Sequence, residues 1–198
     1  MQRIAFLFCL ICAVHANAIY FSTTLGYSRL QEDNQIYKPG SILHVSFETG
    51  FFNEPENDLD YKLAFGIDRF GYSHSDGDVS VSFWEFYFKP ITISFTKHNI
   101  MFEVAPFTGV IITANNLDDY NDTLLFHRPE PYRADIYIYR LTVGYENRLG
   151  YQINKMFLIG LTTNYRFLAY GIHRRRYHKE ERPFMGGWGL NFQYNLPW

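Results

Sequence analysis

The chain has 198 residues, a formal net charge of −2 at pH 7 and an aromatic content of 19%. A charge this close to zero does not indicate a nucleic-acid partner, and the length allows one ordinary domain. The composition combines many Phe and Tyr residues with a slightly polar mean hydropathy. That mixture is typical of strands with one apolar and one polar face.

The N-terminus has the layout of a secretory signal peptide. Arg3 supplies a positive charge, residues 4–14 are apolar, and Ala16-Asn17-Ala18 is a small-x-small cleavage sequence. The apolar run is shorter than the ~20 residues that span a bilayer, which disfavours an N-terminal anchor. We therefore expect a signal peptide over residues 1–18 and one mature domain over 19–198. Because the only cysteines, Cys9 and Cys12, precede residue 19, the mature domain has no disulfide, cysteine metal site or thiol nucleophile.

Beyond this segment the sequence alternates with period two in eight stretches, and such alternation predicts strands. The predicted strands cover residues 19–29, 41–52, 59–70, 79–95, 100–112, 134–145, 156–170 and 187–198. In the fourth strand the alternation changes face around Trp84 to Phe88, and Pro90 follows. A β-bulge is expected there.

The connections between these strands alternate in length. Short turns are predicted at 53–58, 97–99 and 146–150, and longer connections at 30–40, 71–78, 113–133 and 171–183. An even number of strands in a meander closes without an unpaired edge. The sequence thus predicts an all-β protein, a closed antiparallel up-and-down eight-stranded transmembrane β-barrel, preceded by the cleavable signal peptide. Short turns at one end and long loops at the other are typical of outer-membrane barrels.

Alternation alone leaves open which face points outward. A soluble eight-stranded barrel of the lipocalin kind would hold its apolar face inside, around a ligand. Here the polar faces carry Gly, Ser, Thr, Asn and charges of both signs, and the apolar stripes often end in Tyr or Trp. These features favour apolar faces directed at lipid.

The last strand carries the most specific signal. One of its faces is wholly apolar and consists of Trp188, Leu190, Phe192, Tyr194, Leu196 and Trp198. This strand resembles the C-terminal strand of bacterial outer-membrane β-barrels, which ends in Phe or Trp and is the recognition signal for the barrel assembly machinery. The mature chain as a whole resembles the small eight-stranded outer-membrane barrels of the OmpX, OmpW and OmpA-domain type.

The resemblance implies a location and partners. It implies the outer membrane of a bacterium with a two-membrane envelope, with both termini in the periplasm. The implied partners are outer-membrane lipids and lipopolysaccharide, and during biogenesis the assembly machinery and periplasmic chaperones. We expect no cofactor and no metal, since no cluster of His or carboxylate residues has metal-ligand spacing.

Charged residues on the predicted inner faces form the first candidate site. They are Glu48, Lys62, Glu103, Arg140 and Arg166. Charges in a narrow interior need partners, so we expect a salt-bridged core. Such a core could act as a gate or selective path. A plug is the favoured interpretation, because eight strands leave an interior that side chains about fill.

A second candidate is the triplet His44, Ser46 and Glu48, which shares one face of the second strand. His, Ser and a carboxylate are the parts of a hydrolase site. The triplet superficially resembles the His-x-Ser pair of lipid A deacylases, which are eight-stranded barrels. It departs from that pattern at Phe47, where the family has Asn, and its inward position does not suit a lipid substrate.

A third candidate is the basic run with Arg174, Arg175, Arg176 and Lys179 in the last long connection. It could bind the phosphates of lipopolysaccharide or an extracellular or host polyanion, or be a solvated loop. The sequence therefore favours a structural or surface-interaction role. The alternatives are a narrow porin or OmpW-like transporter for small hydrophobic molecules, and a lipid A-modifying enzyme.

Overall fold

A computed structural model describes residues 18–30, 39–52, 59–74, 80–115, 141–169 and 184–197. Eight long strands follow one another in chain order. They are β1 Ala18–Leu30, β2 Ile42–Phe52, β3 Leu59–His74, β4 Ser80–Lys97, β5 Ile100–Asn115, β6 Leu141–Gln152, β7 Phe157–Ala169 and β8 Phe184–Pro197. A two-residue strand, Pro39–Gly40, precedes β2 and pairs with the end of β3.

Each long strand pairs antiparallel with its neighbours in sequence, and β8 pairs with β1. The sheet is therefore a closed antiparallel up-and-down barrel, which confirms the predicted architecture. Each residue can be followed to its pairing partner on the next strand, all the way round the barrel. A circuit that starts at Ile159 of β7 ends at Ala169 of the same strand, so the register shifts by ten residues (169 − 159). This stagger tilts the strands and brings residues of distant strands to one level of the interior.

No helix in the described ranges is long and apolar enough to cross a membrane.

Ala18 and Pro197, the first and last described residues, pair with each other at one end of the barrel, which we call the terminus end. The same end holds the predicted short turn between β4 and β5. His98 and Asn99 have φ values of 50° and 65° there. Two successive residues with positive φ are the geometry of a tight hairpin whose twist matches its strands. The predicted turn 53–58 and the predicted signal peptide up to residue 17 lie outside the described residues. The same holds for residues 31–38, 75–78, 116–133 and 171–183 of the long connections, whereas residues 71–74 belong to β3.

The predicted end of the sixth strand, at residue 145, is wrong. β6 is Leu141–Gln152, so the predicted turn at 146–150 is strand, and the connection to β7 is 153–156. Glu146 and Arg148 lie within the predicted turn, but both face the interior between outward Tyr145 and Leu149. Residues 134–140 lie outside the described ranges.

The expected irregularity in β4 is confirmed. Its pairing with β5 jumps between Phe88 and Ile93, around Pro90, and again between Trp84 and Glu85. Proline cannot donate a ladder hydrogen bond, so a break in pairing at this position follows from its chemistry.

The faces are arranged with the apolar side outward. Large side chains such as Phe47, Leu161 and Trp188 are 56%, 54% and 58% exposed, whereas Glu85 and His44 inside are 0% and 1% exposed. This distribution is the reverse of a soluble ligand-binding barrel, and that alternative is excluded.

Candidate functional site

The barrel interior, the lumen, contains two groups of charged side chains along its axis. Nearer the terminus end lies the terminal cluster, which consists of Glu48, Lys62, Lys89, Glu103, Glu146 and Arg148. Further along lies the distal cluster, which consists of His44, Asp68, Glu85 and Arg166. The terminal cluster has three acidic and three basic members, so its formal charges cancel.

Arg148 joins most of the terminal cluster. Its Nη1 lies 3.1 Å from Glu103 Oε2 and donates to Gln193 Oε1 at 2.9 Å. Its Nη2 lies 3.0 Å from Glu146 Oε1. The planar guanidinium presents several donors in a fixed fork, so one residue of β6 connects carboxylates from separate strands.

Glu48 of β2 is the acceptor with the most partners. Tyr20 donates to Oε1 at 2.8 Å, and Tyr87 donates to Oε2 at 3.0 Å. Arg148 Nη2 lies 3.3 Å from Oε1, and Lys89 forms an ion pair with Oε2. A carboxylate this buried needs such a set, because its desolvation costs several kcal/mol.

Lys62 of β3 is held on two sides. Its ammonium pairs with Glu103 and lies 5.5 Å from the ring centroids of both Tyr20 and Phe52. The aromatic rings cover the charge on the side toward the terminus end, and their faces attract a cation.

The distal cluster is centred on Arg166 of β7. Its guanidinium pairs with Asp68 and donates through Nη1 to Glu85 Oε2 at 2.7 Å. It also lies over the ring of Phe70, with Cζ 3.8 Å from the centroid. His44 completes the group, with Nε2 2.7 Å from Asp68 Oδ1.

Apolar side chains fill the lumen beyond both clusters. Phe52, Met101 and Leu158 are buried at the terminus end. Toward the opposite end, Phe70 stacks on Phe83 at 5.3 Å, and Met185 and Ile111 are buried at the same end. The described lumen is therefore a packed, layered interior: apolar, charged, then apolar again.

The second candidate, the hydrolase-like triplet, is not assembled by the structure. His44 faces Asp68, Ser46 Oγ lies 3.0 Å from the hydroxyl of Tyr87, and Glu48 belongs to the terminal cluster. No contact in the described part of the chain joins His44 to Ser46. All three side chains are buried in the lumen, where no nucleophile–base pair is formed.

Four of the predicted lumen charges lie where alternation placed them. Glu48, Lys62, Glu103 and Arg166 are buried and ion-paired, while Arg140 lies outside the described residues. Sequence reasoning missed six further cluster members. They are Asp68, Glu85, Lys89, Glu146, Arg148 and His44, the last considered only as a catalytic group. A correct assignment of the residues of β4 and β6 that face inward would have identified four of them.

The other candidate residues lie on the outside or beyond the described ranges. On β8, Trp188, Leu190, Phe192 and Leu196 are exposed on the outward face and Tyr194 is partly exposed. Trp198 and the basic residues Arg174, Arg175, Arg176 and Lys179 lie outside the described part of the chain.

The outward surface also has an apolar groove of about 570 Å³ near the terminus end. Thr23 is short, and its pair partners on both sides are large, namely Phe47 and Phe192. Phe21, Phe157 and Tyr194 complete the walls. The lining also includes Ser22, Glu48 and Gln193, whose side chains are buried on the lumen side.

Comparison with solved structures returns small eight-stranded outer-membrane β-barrels, and this chain has their fold, as its sequence predicted. Neisserial surface protein A, NspA, is 6% identical, with a TM-score of 0.51 over 91% of this chain and 99% of that one. Ail of Yersinia pestis is 15% identical, with a TM-score of 0.42 over 91% and 99% of the two chains. The N-terminal barrel domain of Pseudomonas aeruginosa OprF is 11% identical, with a TM-score of 0.41 over 91% and 98%.

No protein-family model matches the chain, and no curated protein matches it significantly. At these identities the likeness to NspA shows the fold alone.

Proposed function

We propose that this chain is an integral outer-membrane protein of a bacterium, with its apolar belt in contact with lipid. The observation that carries the proposal is the reversed polarity of the barrel. Exposed Phe and Leu side chains surround a lumen of buried ion pairs. Water would not stabilise such a surface, whereas a bilayer hydrocarbon core would. Aromatic residues near both ends of the belt support the assignment, with Tyr61 and Tyr151 at one end and Tyr27 and Trp188 at the other.

Its role is to stabilise the membrane and to present the long connections at the cell surface. The layered packing of the lumen supports this role over a porin, because a conducting path needs a continuous wet passage. The paired partners of His44 and Ser46 likewise favour it over a lipid A-modifying enzyme.

Reconstitution tests the proposal. The purified chain should insert into lipid vesicles, migrate differently on gels before and after heating, and give no ion conductance above that of empty membranes. A general porin serves as the positive control for conductance. A chain that stays in the aqueous phase contradicts the membrane assignment, whereas steady conductance by an inserted chain contradicts only the closed lumen.

Export and assembly follow from the same proposal. The signal peptide over residues 1–18 directs secretion, both termini lie in the periplasm, and the terminal strand is recognised by the barrel assembly machinery after delivery by periplasmic chaperones. N-terminal sequencing of the protein from outer membranes should begin near Ile19.

The basic run is a proposed surface site for polyanions. Arg174, Arg175, Arg176 and Lys179 carry four positive charges over six residues, which suits phosphate or sulfate groups of lipopolysaccharide or a host polysaccharide. Replacing the three arginines by Gln should weaken binding of whole cells to immobilised heparin, and the loss should shrink at high salt. Equal binding by the variant would remove this proposal.

A further inference from the structure

Among the described strands, one carboxamide faces outward between the aromatic ends of the belt. Asn147 lies in the middle of β6, between outward Tyr145 and Leu149. Its pair partners, Val104 on β5 and Thr163 on β7, face outward as well. Gln152, at the strand end, is five positions beyond Asn147, which at the usual rise and tilt is about 12 Å of depth. The amide therefore lies near the middle of the belt.

The amide has no hydrogen-bond partner within the described residues. Outward threonines show the contrast: Thr49 and Thr108 each donate to a backbone carbonyl of the neighbouring strand, both at 3.1 Å. No such bond reaches the Asn147 side chain. An amide in hydrocarbon without a partner costs several kcal/mol, so this position is costly unless something outside the monomer pairs with it.

Depth limits what that partner can be. Lipid headgroups and esters lie at the membrane surfaces, and water is absent from the hydrocarbon core. The remaining source of a donor and an acceptor at this depth is another polypeptide. Because a carboxamide both donates and accepts, two copies related by a twofold axis can exchange a reciprocal pair of hydrogen bonds.

The surroundings of Asn147 suit close approach. Val104, Pro106 and Thr163 are compact, while Tyr145 and Tyr165 stack at 5.0 Å to form a ridge beside them. Small side chains beside a polar residue are the features that allow protein surfaces to associate within lipid.

We propose that the outward face of β5, β6 and β7 around Asn147 is a homodimer interface within the bilayer. This inference rests on the proposed membrane location. In the dimer the two Asn147 amides pair at the twofold axis, and the compact side chains pack against each other.

Spin-label distances between molecules test the interface. Leu149 on β6 and Leu43 on β2 are outward leucines of similar exposure, 54% and 48%, and their strands lie on opposite sides of the eight-stranded barrel. Each is changed to Cys and labelled in the full chain carrying Cys9→Ala and Cys12→Ala, then reconstituted in phosphatidylethanolamine–phosphatidylglycerol vesicles at high lipid excess. We expect short distances between molecules for Leu149→Cys and long ones for Leu43→Cys.

The variant Asn147→Leu separates pairing from folding. Loss of the paired amides should weaken dimerisation by roughly tenfold, while the monomer should unfold no more easily than before. Equal distance distributions for the two labels, or an undiminished dimer in Asn147→Leu, would overturn the interface while leaving the membrane assignment intact. A chain that does not enter vesicles would overturn both.

Discussion

The charged lumen is stable only because its buried charged groups are paired with opposite charges and hydrogen-bond partners. Glu48 touches two cations and two tyrosine hydroxyls, and its side chain is 3% exposed. Removing one member of such a set leaves the others desolvated and short of countercharge. That loss costs more than the intact set contributes.

Glu48→Gln should therefore destabilise the barrel by about 3 kcal/mol, the low end of the range for a broken buried ion pair. Glu146→Gln is the matched control, since Glu146 contacts the same Lys89 and Arg148 but its side chain is 12% exposed. Equilibrium unfolding in lipid vesicles with urea should give a clearly larger loss for Glu48→Gln. Equal losses would show that burial does not determine the cost.

The sequence could predict which residues face inward but not which of them meet. Alternation is enough to assign Glu48 and Arg166 to the inward face, because a period of two can be recognised within a single strand. The contact between Glu48 and Arg148 joins residues one hundred positions apart and depends on strand order and stagger. Neither quantity can be read from one strand, so the partners required coordinates.

At the scale of single elements, β6 shows why charge misleads in this fold. Polar clusters mark turns in soluble proteins, but here Glu146 and Arg148 are at interior positions of a strand. Outward Tyr145, Leu149 and Tyr151 continue the alternation through this region, and Asn147 interrupts it. Accepting one polar residue on this face would have extended the predicted strand to Tyr151, one residue from the end of β6.

The last strand closes the barrel, because β8 pairs with both β7 and β1. Deleting Trp198 should reduce the amount of assembled protein in the outer membrane, since the terminal aromatic is the proposed recognition signal. Trp198→Phe should assemble normally. The measurement is the heat-modifiable fraction in isolated outer membranes, and normal assembly of the deletion variant would contradict the proposed signal.

For the whole molecule, the decisive property is what surrounds the barrel. Leu190 and Leu196 lie on the same strand and the same outward face, with similar exposures of 47% and 43%. They differ in depth, because Leu190 is in the middle of β8 and Leu196 is one residue from its end. In water the two positions are equivalent for a charged substitution, whereas in a bilayer they are not.

Leu190→Arg should cost about 2–4 kcal/mol of unfolding free energy in lipid vesicles, and Leu196→Arg about 0–1 kcal/mol, because the cost of a cation on the lipid face falls from the midplane to the interface. Urea titrations of both variants at one lipid composition measure the difference. Thicker bilayers should preserve the order of the two costs, since position 190 stays deep in the hydrocarbon. If the two substitutions lower the unfolding free energy equally, or not at all, the cost of an arginine does not depend on its position along the strand. Contact of this surface with hydrocarbon would then be contradicted.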